Sequence, residues 1–224
     1  MRKIKVLLYH IHTFLTLSFI FTMTQSQTTV EFKTTAGSFR ILLYEDTPKH
    51  KANFVKLIEQ GYYDSLLFHR VISGFMVQSG DPKSKNAPTG AQLGDGGPSY
   101  TISAEINASN YHKRGALAAA RLSDHINPAK NSSGSQFYIV QGRQFSASEL
   151  KSLEKSSRHA PFSTDQVDVY TTAGGAPHLD NAYTVFGEVT EGMNVIDSIA
   201  EVPTDSMNRP LTNVMIIHAS VLLK

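Results

Sequence analysis

The 224-residue chain contains no cysteine and no tryptophan. Without thiols it can form no disulfide framework, thiolate nucleophile, cysteine-ligated zinc or cysteine-held iron–sulfur cluster. Neither sign of charge dominates: 21 Lys and Arg oppose 19 Asp and Glu, and the basic residues are dispersed rather than massed in runs. Dispersed charge releases few counterions, so a nucleic-acid partner is not expected. The usual catalytic templates are also missing. There is no G-x-S-x-G, H-E-x-x-H, Walker loop or G-x-G-x-x-G. Gly94-Asp95-Gly96-Gly97 is glycine-rich, but no helical pattern follows to complete a phosphate cradle. Beyond the first segment the histidines (His50, His69, His112, His125, His159, His178 and His218) stand singly, none at metal-ligand spacing from another, so no metal site is expected. Ser135, beside Gly134, lacks an elbow motif and reads as a turn residue.

The first segment has the order of an export signal. Arg2, Lys3 and Lys5 precede a largely apolar run through Phe21, and the polar stretch Thr22 to Gln27 follows. The expectation is a signal peptide over residues 1–26, cut near Ser26/Gln27, delivering the protein to the periplasm or outside the cell. An uncleaved anchor is the competing reading. His10, His12, Thr13 and Thr16 interrupt the run, whereas a spanning helix wants about 20 mostly apolar residues. No later stretch is apolar enough to span a bilayer, so no membrane association is expected after cleavage. A monomer is the default assumption.

Residues 27–224 read as one domain. Val30–Thr34 and Phe39–Tyr44, joined about Ala36-Gly37, form a hairpin pattern. Thr47-Pro48 reads as a helix start, Phe54, Leu57 and Ile58 share a face, and Gly61 ends it. Leu66–Val71 and Phe75–Gln78 suggest a second strand pair. Asp81–Ser99 has the composition of a long surface loop. Strand-like runs recur at Gln136–Val140, Thr184–Glu188, Val214–Ile217 and Val221–Leu223, while Met193, Ile196, Ile199 and Ala200 have helical spacing. A polar insertion with helical pieces occupies 143–177. The pattern is mainly β and favours a closed antiparallel barrel capped by two helices.

One constellation carries chemistry: Phe68-His69-Arg70-Val71-Ile72-Ser73-Gly74-Phe75-Met76-Val77-Gln78-Ser79-Gly80-Asp81. Period-two alternation puts Phe68, Arg70 and Ile72 on one side of a strand, with His69 and Val71 on the other. An arginine among apolar neighbours either snorkels to solvent or is held by a partner. Gln78, on the next strand, can accept from a guanidinium. Phe75, Met76 and Phe137 offer apolar lining.

This stretch resembles the signature of the cyclophilin-type peptidyl-prolyl cis-trans isomerases, F-H-R-V-I-x-x-F-M-x-Q-x-G-D. Gly115–Arg121, Ser135-Gln136-Phe137-Tyr138-Ile139, Leu179-Asp180 and Val185–Val189 match the family further along. The resemblance implies an eight-stranded closed barrel and an enzyme that turns X-Pro bonds without metal or cofactor. Its substrates would be proline-containing polypeptides among exported proteins. It gives Arg70, Gln78 and Phe75 the catalytic positions. It puts His69, Met76, Ala120, Arg121, Gln136, Phe137, Tyr138, Leu179 and Tyr183 in the substrate-binding surface, with His69 turned away from Arg70. Arg121 stands where animal members have Asn, as in bacterial periplasmic-type members, and Tyr183 stands in place of a pocket His. His178 falls where animal members carry a pocket Trp, which argues against tight cyclosporin binding. The alternative from the same likeness is a non-catalytic module that only holds proline-containing segments. A carbohydrate-binding barrel finds little support in a chain without tryptophan.

Overall fold

The computed structural model describes residues 27–156 and 161–222. The expected signal segment, residues 1–26, lies outside them. Ten strands are found among the described residues: β1 (Thr29–Thr34), β2 (Gly37–Leu43), β3 (Arg70–Ile72), β4 (Met76–Ser79), β5 (Thr101–Ile102), β6 (Ala116–Ala119), β7 (Ser132–Ser133), β8 (Phe137–Val140), β9 (Val185–Glu191) and β10 (Ile216–Leu222). Four α-helices accompany them: α1 (Pro48–Glu59), α2 (Ala147–Ser156), α3 (Thr164–Thr172) and α4 (Met193–Ala200).

Eight strands form one antiparallel sheet in the order β10-β1-β2-β9-β6-β8-β4-β3, and β5 pairs separately with β7. The expected closed barrel becomes a curled sheet whose edge strands, β3 and β10, share no ladder. The reason lies in residues 65–69, where Ser65 has a positive φ of 68° and the chain is too irregular to extend β3. An isolated bridge, Leu67 with Met215, and three backbone hydrogen bonds span the seam: the Ser65 and Phe68 N–H groups donate to the Ile216 and Val214 carbonyls at 2.8 and 2.9 Å, and the Ile216 N–H donates to the Leu66 carbonyl at 2.8 Å.

The two sides of the sheet bury different residues. On the inner side Phe32, Phe39, Ile41, Val77, Leu117, Phe137 and Ile139 pack with Phe54, Leu57 and Ile58 of α1 and with Ile196 and Ile199 of α4. Helix α1 therefore buries the face its spacing implies. Its start differs from expectation: the Thr47 hydroxyl makes no cap bond to the helix. The Glu105 carboxylate accepts from the Lys49 and His50 N–H groups instead, at 3.0 and 2.9 Å, favourable at the positive end of the helix dipole. On the outer side Met76, Ala116, Ala118, Tyr138, Val140 and Val185 form a second cluster, with Phe75, Ala120, Leu179 and Tyr183 half-buried around it. The 143–177 insertion carries α2 and α3 and has a small core of its own, centred on Leu150, Phe162 and Tyr170.

Alternation along β8 corrects one site assignment. Phe137 and Ile139 point inward and Tyr138 and Val140 outward, so Phe137 belongs to the core rather than to a substrate surface. Its ring lies 5.3 Å from Phe54, edge to face, and it is 1% exposed. Phe137→Ala should therefore cost about 3–5 kcal/mol of stability, read from the midpoint of denaturant unfolding. The same truncation at half-buried Leu179 should leave that midpoint nearly unmoved.

Candidate active site

Strand register builds the site one row at a time. Arg70 on β3 lies directly opposite Gln78 on β4, Gln78 opposite Tyr138 on β8, and Tyr138 opposite Ala118 on β6. The next outward row is Ile72, Met76 and Val140. Side chains in facing register share one side of the sheet. The outer surface thus presents a cation, an amide, a phenol and a methyl group in a line, above an apolar second row. The Arg70 Nη1 donates to Gln78 Oε1 at 3.3 Å. Gln78 Nε2 donates in turn to Gln136 Oε1 at 3.0 Å, and Gln136 Nε2 donates to the Gly94 and Gly96 carbonyls at 2.9 and 2.7 Å. Arg70 is therefore held from behind by a chain of amides that ends in fixed backbone.

Arg70, Gln78, Tyr138 and Met76 of these rows floor a cavity of about 510 Å³. Arg70, Gln78, Phe75, Met76, His69, Ala120, Arg121, Tyr138, Leu179 and Tyr183 all line it. Of the expected surface, Gln136 and Phe137 do not: Gln136 stands behind Gln78, and Phe137 is in the core. The turn that brings Phe75 to the cavity depends on Gly74, whose φ of +70° suits glycine. The Gly74 N–H donates to Gln141 Oε1 at 2.7 Å.

Loops supply wall residues that the motif did not indicate. Gly90 to Asp95 form one side, and Asp205, Met207 and Arg209 extend it. Long as it is, the Asp81–Ser99 loop is tethered. Asp81 is fully buried, and its carboxylate accepts from the N–H groups of Lys83 at 2.7 Å, Gly94 at 2.5 Å and Gly96 at 3.3 Å. Arg209 Nη1 donates to the Pro88 and Ala91 carbonyls at 3.0 and 2.7 Å. No sequence spacing connects residue 209 to residues 88 and 91; only the fold brings them together.

On the far rim, Arg121 turns back along the wall. Its Nε donates to the Ala182 carbonyl at 2.7 Å, and its guanidinium carbon sits 4.4 Å from the centre of the Tyr183 ring. Tyr183 meets Tyr138 edge to face at 5.9 Å. His178 packs on the Phe75 ring at 5.2 Å, so an imidazole covers the position compared above with an indole.

A family model described as cyclophilin type peptidyl-prolyl cis-trans isomerase/CLD matches residues 29–221. The chain belongs to the cyclophilin family. This cyclophilin is 35% identical over 191 residues to a Staphylococcus epidermidis protein named as a peptidyl-prolyl cis-trans isomerase; the match covers 84% of this chain and 88% of the relative. It is 38% identical over 192 residues to a Streptococcus pyogenes protein named as a bifunctional phosphatase/peptidyl-prolyl cis-trans isomerase, of which it spans only 37%. A crystal structure of a cyclophilin-type isomerase from Cryptosporidium parvum matches with a TM-score of 0.64 at 23% identity, covering 89% of this chain and 99% of the other. A second C. parvum structure, obtained in the presence of the dipeptide Ala-Pro, matches with a TM-score of 0.62 at 24% identity.

One residue of this cyclophilin's site departs from its expected orientation. Strand alternation puts His69 opposite Arg70, yet both line the cavity, because β3 begins only at Arg70 and period two does not extend back to His69. For the same reason Phe68 joins Val71 in the inner core instead of sharing Arg70's side. The His69 ring is buried, and neither nitrogen is in hydrogen-bond geometry with a partner among the described residues. Burial lowers its pKa to about 4. The folded protein keeps this imidazole neutral while the unfolded chain binds a proton near pH 6.5. Stability is thus fully present above pH 6.5 and is lost as pH falls towards 4. The loss should reach about 3 kcal/mol at pH 4. Denaturant unfolding at a series of pH values should show this slope in the wild type and a flatter one in His69→Phe.

Proposed function

We propose that this cyclophilin-type isomerase speeds rotation about X-Pro bonds in exported polypeptides, with Arg70 as the catalytic group. The obstacle is electronic. Amide resonance sets a rotation barrier of roughly 18–20 kcal/mol, while the two prolyl isomers differ by only about 0.5–1 kcal/mol. No bond needs to break. What helps is a donor that meets the prolyl nitrogen only after the amide has twisted and its lone pair has localised there.

A fixed guanidinium beside an apolar slot has that property. Phe75, Met76, Tyr138, Leu179 and Tyr183 grip the ring, anchoring one side of the bond while the preceding carbonyl swings. Arg70 donates to the nitrogen in the twisted state and has little to donate to in either planar state, so the interaction favours the transition state. Gln78 holds Arg70 in place and can itself donate to the moving carbonyl. Lowering the barrier by about 7 kcal/mol would accelerate exchange roughly 10⁵-fold. The observation that carries this reading is the Arg70–Gln78 contact at the edge of the cavity. A module that merely binds proline segments has no use for an arginine braced in this way. The dipeptide used with the C. parvum structural neighbour, Ala-Pro, is of the same ligand class.

Placement outside the cytoplasm draws support from two features of the sequence. The basic, apolar, polar order of residues 1–26 is that of a signal peptide, and a chain without cysteine suits an oxidising compartment. The clients are then proteins folding after export. Expression of the full chain should yield a mature protein beginning near Gln27 by N-terminal sequencing. Residue 1 retained in the purified protein would favour the anchor.

The mechanism is tested by cis-to-trans exchange of an Ala-Pro-containing tetrapeptide. Arg70→Ala should lower kcat/KM on the order of 100-fold or more, with peptide binding reduced far less. Gln78→Ala should lower it more mildly. Equal rates for wild type and Arg70→Ala would leave the binding module as the better account.

A further inference from the structure

The insertion takes no part in the mechanism above, yet it reaches the slot. The Tyr170 side chain, on α3, is fully buried, and its hydroxyl donates to Asp180 Oδ2 at 2.6 Å. Asp180 Oδ1 accepts the His112 backbone N–H at 2.8 Å and meets His112 Nδ1 at 2.9 Å. On its other edge, His112 Nε2 meets the Tyr138 hydroxyl at 2.9 Å. All four side chains are out of solvent, so each contact acts in a low-dielectric setting and none is readily replaced by water. Three contacts thus connect a helix of the insertion to the ring that forms one wall of the cavity.

The same residue, through its backbone, holds a second wall. Asp180 closes the 3₁₀ turn Pro177–Leu179, its N–H donating to the Pro177 carbonyl at 3.2 Å. That turn presents Leu179 to the cavity and sets His178 on Phe75. Burial, reinforced by the Asp180 charge, raises the Tyr170 pKa, so its hydroxyl stays a donor. The path also dictates a glycine. A Cβ on Gly175 would lie 2.6 Å from the Tyr170 ring and 2.3 Å from the His112 carbonyl oxygen, so only glycine lets the helix approach.

We propose that Tyr170 is a positioning residue for the proline slot: acting through Asp180 and His112, it fixes the Tyr138 wall and the Leu179 turn, which makes the insertion a strut of the active site. The inference rests on the proposed isomerase reading. The slot grips the ring alike in the planar and twisted states, so slack in it appears in KM rather than in kcat.

The experiment uses the full chain. Tyr170→Phe keeps the ring and its apolar packing and removes one donor. It should raise KM for an Ala-Pro-containing tetrapeptide on the order of 3- to 10-fold, with kcat within about twofold. Tyr138→Phe should behave alike, and the double variant should be no worse than the weaker single one, since both cut one path. Asp180→Asn is read in the same way if Tyr170→Phe yields too little folded protein. A role confined to folding would lower the fraction of active enzyme and leave KM alone. Unchanged KM, or fully additive effects in the double variant, overturns the proposal. If Tyr170→Phe leaves KM unmoved while Arg70→Ala is inactive, the strut fails and the isomerase reading stands. If the wild type shows no exchange, that reading fails, and the strut is then judged by the peptide Kd of the same variants.

Discussion

A guanidinium is useful beside an apolar slot only if it cannot wander. Left free, Arg70 would turn its head to water and away from the slot. The cross-strand pairing of Arg70 with Gln78 prevents this, and the amide chain through Gln136 carries the restraint back to the Gly94 and Gly96 carbonyls. The remaining architecture serves that arrangement. The sheet must curl so that β3, β4, β8 and β6 present one face, the inner core must be stiff enough to keep their register, and the loop beyond Asp81 must be tied down for its carbonyls to serve as an end stop. Preorganisation of this kind is what lets a single hydrogen bond count in the transition state.

Much of this was legible in the chain because side-chain alternation and motif spacing are local properties. The hairpin of β1 and β2, the buried face of α1 and the strand pair carrying Arg70 and Gln78 follow from short stretches read on their own terms, and the family likeness supplied the ten expected residues that line the cavity. The failures have physical causes too. Phe137 and Tyr138 are both aromatic and adjacent, and only the register of β8 against β4 and β6 decides which one faces the core. His69 faces the cavity beside Arg70 because period-two alternation starts only with β3, one residue later. Asp205, Met207 and Arg209 join the cavity through a contact more than a hundred residues long in sequence, for which no local pattern exists. A pattern of many short strands cannot show whether the sheet's two edges meet, and here they share no ladder past the positive φ of Ser65.

The run of small residues in β6 shows how composition shapes the slot. Ala116 and Ala118 lie on the outer side, next to Val140 and Tyr138. Methyl groups there leave room for the Tyr138 ring to lie against the sheet and for Tyr183 to close over it edge to face. The same stretch supplies Leu117 to the inner core, so one short strand meets opposite demands on its two sides.

The tethered loop has a consequence for how a polypeptide comes and goes. Asp81 and Arg209 tie the wall formed by Gly90 to Asp95 at both ends, so it stands as a braced bank of the cavity. On the proposed reading, a long polypeptide would pass along this bank sideways, with a proline in its interior dipping into the slot and its flanks left in bulk solvent.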